Sequence, residues 1–170
     1  LIIISFMGLV ATGFPLKYSY APWAHEMSAW FGGIHMMGVL HRVFALITFG
    51  YAGMHFVFLL HFFWKKCPRP IWKYLLGPET IILMPRDFFD FLAMVKWFFR
   101  RGPRPRFERW AYFEKFDYWG EMWGVFVIGG TGLMLWFPTF FTAWLPGWAL
   151  NAAMVIHSIE ALLAASVIFL

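Results

Sequence analysis

The chain has 170 residues and a formal net charge of +5, with 61% hydrophobic, 23% aromatic and 14% charged side chains. An apolar share this large lies far outside the range of an ordinary water-soluble domain and describes a membrane protein. The single cysteine, Cys67, excludes a disulfide framework, a thiolate zinc site and a Cys-x-x-Cys-His attachment, and no phosphate loop or nucleophile arrangement appears.

In chain order, "LIIISFMGLVATGFPL" is apolar from its first residue. At ~1.5 Å per residue a helix over 1–14 covers only about half of a ~30 Å hydrocarbon core, so this first helix is expected to continue upstream. A cleaved signal peptide is the rival reading, but the stretch has no basic leading region and no small-residue cleavage site. A second helix is expected over 30–64, where residues 43–64 hold no Lys, Arg, Asp or Glu.

The connection 65–117 carries five Lys and seven Arg, whereas the first-to-second connection has Lys17 alone and the third-to-fourth turn has none. That asymmetry places 65–117 in the cytoplasm, and with it headgroup attraction accounts for the net charge without a nucleic-acid partner. Within it, "RDFFDFLAMVKWFFRRG" repeats Phe88, Phe91, Leu92, Val95, Phe98 and Phe99 at helical spacing. A helix over 86–101 is expected, starting near Asp87 and stopping at Gly102, that lies in the interface plane or packs on other protein. "RGPRPRFERW" then reads as a stiff basic link.

No acid or base occurs between Glu121 and Glu160, a run too long for one crossing. "FPTFFTAWLPGW" divides it with two prolines and a glycine, which predicts a third helix over 118–137 and a fourth over 148–170 that continues past the last residue. The expected fold is therefore all-α: one polytopic domain over 1–170, a four-helix transmembrane bundle with its outer helices truncated.

An imidazole in hydrocarbon must find a partner, so an intramembrane histidine is a functional hypothesis by default. His41 and His55 are fourteen residues apart, which puts them within about 40° of one helix face and roughly 21 Å apart along the axis. His157 on the fourth helix lies at a depth similar to that of His41. Two imidazoles on facing helices at one level suit the axial positions of a haem iron, with glycines giving the rings room. His61 reads as interfacial, and His25 and His35 as turned to solvent or a nearby carbonyl.

The strings "TGFPLKYS", "FGG" followed by "LHR", "MPRD", "FDYWG", "TGLMLWFP" and "HSIEALLA" stand in an order that resembles the di-haem cytochrome b subunits anchoring membrane formate dehydrogenases, nickel-iron hydrogenases and related respiratory complexes. The similarity runs over nearly the whole chain. It implies two haem b groups in a bacterial or archaeal cytoplasmic membrane, and electrons passing between a periplasmic or membrane-attached redox subunit (a dehydrogenase, a hydrogenase or a multihaem cytochrome) and quinone. By position, His41 and His157 share the outer haem. The inner haem takes a histidine four turns beyond His157, outside this chain, together with either His55 or a first-helix histidine upstream of Leu1.

Arg42 beside a proposed ligand has the fork geometry to pair with a haem propionate, or else it snorkels to the outer surface. Glu160, one turn below His157, is expected to be protonated, hydrogen-bonded or at a polar cavity, with proton movement to a quinone as one use. The aromatic segments "YSYAPWAHEMSAW" and "RWAYFEKFDYWGEMW" read as interfacial belts, either of which can line a quinone pocket. The alternative is a haem-free transporter or channel whose His and Glu residues handle protons or metal ions.

Overall fold

The computed structural model describes residues 2–169, and among them there are helices and turns but no strand. The described residues form two compact units, one made of 1–56 with 124–170 and the other of 57–123.

The first unit opens with α1, Ile2–Lys17, whose hydroxyls turn inward: Ser5 donates to the Ile2 carbonyl at 3.0 Å and Thr12 to the Gly8 carbonyl at 2.6 Å. This back-bonding satisfies a polar side chain where water is excluded. A short α2, Pro22–Trp30, starts with proline at its first position, where the missing N–H costs no hydrogen bond. Gly32 and Gly33, both at positive φ (88° and 94°), then reverse the chain into α3, Ile34–His61. A helix over 30–64 is thus corrected to start at Ile34, because two consecutive residues in the left-handed region end α2.

The rest of this unit is the latter part of α6, Tyr112–Trp136, then α7, Pro138–Thr142, and α8, Trp148–Phe169. α6 stops just before Phe137-Pro138, as the clash of a proline ring with the preceding residue requires. α1 lies against both α2 and α8. The buried positions are small: Ser5, Thr12, Ala24, Ser28, Ala52, Ala153 and Ala165, with Met37 the large exception. Large side chains face outward, among them Ile3 at 77% and Trp30 at 87% exposure. Small residues inside and large apolar ones outside is how helices associate when lipid is the solvent.

Two helical segments are long and apolar enough to cross a bilayer, Ile34–Lys66 and Trp148–Val167, while Ile2–Lys17 is apolar but shorter. The first half of α6 carries Glu114, Lys115, Asp117 and Glu121.

In the second unit α3 ends in a π-helical turn, Phe62–Lys66, closed by the Cys67 N–H on the Phe62 carbonyl at 2.8 Å. α4, Ile71–Leu75, follows, and then α5, Pro85–Phe98. Asp87 caps α5 through the Met84 N–H at 2.7 Å. The helix ends before Gly102, because Arg100 takes the left-handed position (φ 57°) and its N–H bonds back to Trp97.

α6 begins at Tyr112, six residues before the expected Tyr118, for two reasons. Glu114 accepts the Ala111 N–H at 2.8 Å, and Lys115 reaches Asp87 at 2.8 and 3.0 Å with both side chains almost fully buried. Next to this pair, Leu83, Phe88, Phe91, Tyr112, Phe113 and Phe116 line a groove of about 500 Å³.

Candidate functional site

His41 lies seven residues into α3 and His157 nine residues into α8, so the two rings stand roughly 10 and 14 Å from the starts of their helices. Their ring centroids are 6.2 Å apart and the planes cross at 80°.

Each ring is held by a second helix. His41 Nδ1 meets Thr12 Oγ1 of α1 at 3.0 Å. His157 Nδ1 lies 2.9 Å from the Ile128 carbonyl of α6 and 3.3 Å from Thr131 Oγ1. The carbonyl on His157 belongs to the residue three before Thr131. The hydroxyls are oriented alike: Thr12 donates to Gly8 at 2.6 Å, and Thr131 donates to Val127 at 2.6 Å. A carbonyl accepts only, and a hydroxyl whose proton is already given away accepts, so Nδ1 carries the N–H in both rings. In a neutral imidazole this leaves Nε2 with a free lone pair, the arrangement that an outer hydrogen bond imposes on a metal-ligating histidine.

A glycine follows each threonine, and the ring edges rest against them. A Cβ on Gly13 would stand 3.2 Å from His41 Cε1, and one on Gly132 would stand 3.0 Å from His157 Cε1. The two half-sites therefore share a Thr-Gly pair on a neighbouring helix with the imidazole edge seated on the glycine, and His157 has a backbone carbonyl in addition.

The centroid spacing bears on what the rings can hold. An imidazole nitrogen lies about 1.1 Å from its ring centre and binds a first-row metal at ~2.0–2.1 Å, so two axial imidazoles on one ion keep their centroids roughly 6.2–6.4 Å apart. The observed 6.2 Å fits that arrangement. Among the described residues no three of His, Cys, Asp and Glu gather as a metal site.

The other sequence candidates lie apart from this pair. His55 is half-buried beside Phe56, with ring centroids 6.5 Å apart. The position fourteen residues beyond His157 lies outside the described residues. Arg42 is exposed, and its guanidinium stands 5.6 Å from the ring centre of Trp136, which itself stacks on Phe137 at 5.3 Å. Glu160 is half-buried, and His25, His35 and His61 are exposed.

Sequence reasoning singled out the imidazoles and counted Gly132 among the glycines that give the rings room, but it quoted Thr12-Gly13 and Thr131 only as the opening letters of "TGFPLKYS" and "TGLMLWFP" and gave them no role of their own. The Thr-Gly dipeptide recurring near the ends of two apolar helices was the available signal.

No protein-family model, curated protein or solved structure matches the chain.

Proposed function

We propose that the chain is a di-haem b-type membrane cytochrome that passes electrons between a periplasmic redox partner and the quinone pool. His41 and His157 would hold its outer haem. The observation that carries this reading is the ring spacing of 6.2 Å between two imidazoles whose Nδ1 atoms are both engaged. A bound haem supplies a one-electron carrier whose potential depends on its axial ligands, their hydrogen bonds and burial.

The chain's own residues bind and orient. α3, α8 and the apolar parts of α1 and α6 form the four-span bundle; α3 and α8 present the ligands, while α1 and α6 fix them. Arg42, held near the end of α6 by Trp136, supplies the cation for a propionate. His55, about 21 Å along the same helix, is this chain's own candidate ligand for the inner haem. The basic connection faces the cytoplasm, and α5, with Phe88, Phe89 and Phe98 exposed, lies on the bilayer surface. The apolar, aromatic-lined groove beside Asp87 and Lys115 is the candidate place for a quinone ring.

The reduced-minus-oxidised visible spectrum of the purified protein tests this directly. A sharp b-type α band is expected. A flat trace sinks the cytochrome and favours a haem-free transporter using the same histidines.

A further inference from the structure

The two half-sites share a construction that ligation alone does not require. Iron needs one nitrogen from each ring and is indifferent to rotation of the ring about the metal–nitrogen bond. Here that rotation is restricted on both sides. His41 is held by Thr12 Oγ1 and its edge rests on Gly13; His157 is held by Thr131 Oγ1 and the Ile128 carbonyl and its edge rests on Gly132. With Nδ1 tied to a neighbouring helix and a backbone wall at the adjacent carbon, each plane has a single comfortable setting. Those settings are nearly perpendicular, at 80°.

We propose that Thr12-Gly13 on α1 and Thr131-Gly132 on α6 are positioning residues that hold the two axial imidazoles crosswise, and that this crossing sets the electronic character of the bound iron. The proposal rests on the cytochrome reading above. Its physical basis is orbital. Parallel imidazole planes both interact with the same member of the iron's dπ pair and split the two apart. Crossed planes raise both members about equally, so the pair stays near-degenerate and the ferric ion keeps large orbital angular momentum. The outer hydrogen bonds of the ligands are a recognised lever on such a site.

Low-temperature electron paramagnetic resonance of the oxidised protein reads this without any turnover. The signal of this site is identified as the component lost in His157→Ala. It is expected to be a strongly anisotropic low-spin feature at large g, not the three-line rhombic pattern of near-parallel planes.

Thr12→Val and Thr131→Val keep the shape of the side chain and remove only the hydroxyl. Each is expected to retain the optical α band and to lose the large-g feature or move it toward the rhombic pattern. Thr→Ser at either position restores the hydroxyl without the methyl and should restore the wild-type signal, whereas a packing role would not be rescued. Gly132→Ala, which presses a methyl against Cε1 of His157, should shift the feature while both threonines stay intact.

A rhombic wild-type spectrum, or Thr→Val variants with unchanged g values, overturns the proposal while leaving the cytochrome in place. A wild-type protein without an α band instead removes the reading it depends on. If Thr131→Val loses the α band, Thr131→Ser decides: a wild-type g value supports the cradle and an altered one overturns it.

Discussion

On the di-haem reading proposed above, replacing His157 by alanine is expected to remove roughly half of the reduced-minus-oxidised α-band absorbance, because one of the two b-type centres would lose a ligand. His41→Ala should do the same, and the double variant should be no worse than either single one, since the two side chains serve one iron. That non-additivity is the diagnostic result, as residues acting on one centre do not contribute independently. The expectation follows from the 6.2 Å approach of the rings and from the engagement of both Nδ1 atoms. His55→Ala provides the contrast. Loss of the remaining half would assign His55 to the inner centre, and full retention would move that ligand to the first helix. If both His41→Ala and His157→Ala kept the entire band, iron would have to be held elsewhere.

The largest effect on stability is expected at Asp87. Its carboxylate accepts Lys115 Nζ at 2.8 and 3.0 Å and the Met84 N–H at 2.7 Å, and the Lys115 side chain is only 1% exposed. Asp87→Ala strands an ammonium group with no counter-charge where water does not reach. Breaking one side of such a pair costs about 3–5 kcal/mol. The partly exposed pair between Arg86 and Glu108, at 2.9 Å, gives the comparison within the same unit; losing it is worth under ~1 kcal/mol. Removing both buried charges together, as Asp87→Leu with Lys115→Met, should recover most of the loss, since the penalty comes from the orphaned charge. The apparent melting midpoint in detergent orders the variants: Asp87→Ala lowest, the double variant well above it, Glu108→Ala near wild type. An Asp87→Ala protein melting with Glu108→Ala would show that the pair does not hold α5 to α6.

These two sites also mark what the sequence made legible. The intramembrane histidines stood out because polar groups are rare in apolar runs, and the break between the last two long helices could be read from Pro138, Pro146 and Gly147. Such signals are local. The early start of α6 was hidden because Lys115 and Asp87 are 28 residues apart, and within the sequence each looked like an ordinary charge on a basic connection. α2 was missed for a related reason: nine residues flanked by proline and a Gly-Gly turn are too short for periodicity to declare itself. The threonines were visible only as the first letters of two quoted strings, and no role could be given them until the imidazole 29 residues downstream of Thr12 is seen resting on it.

The cradle also bears on how the protein tolerates mutational drift. Of the three acceptors that hold the two Nδ1–H groups, one is a main-chain carbonyl, that of Ile128. No side-chain replacement at Ile128 deletes its carbonyl, so the proton of His157 stays on the same nitrogen while the surrounding sequence wanders. There the threonine hydroxyl can vary as a fine adjustment laid over a choice of tautomer that the helical backbone itself insulates, whereas at His41 that choice falls to Thr12.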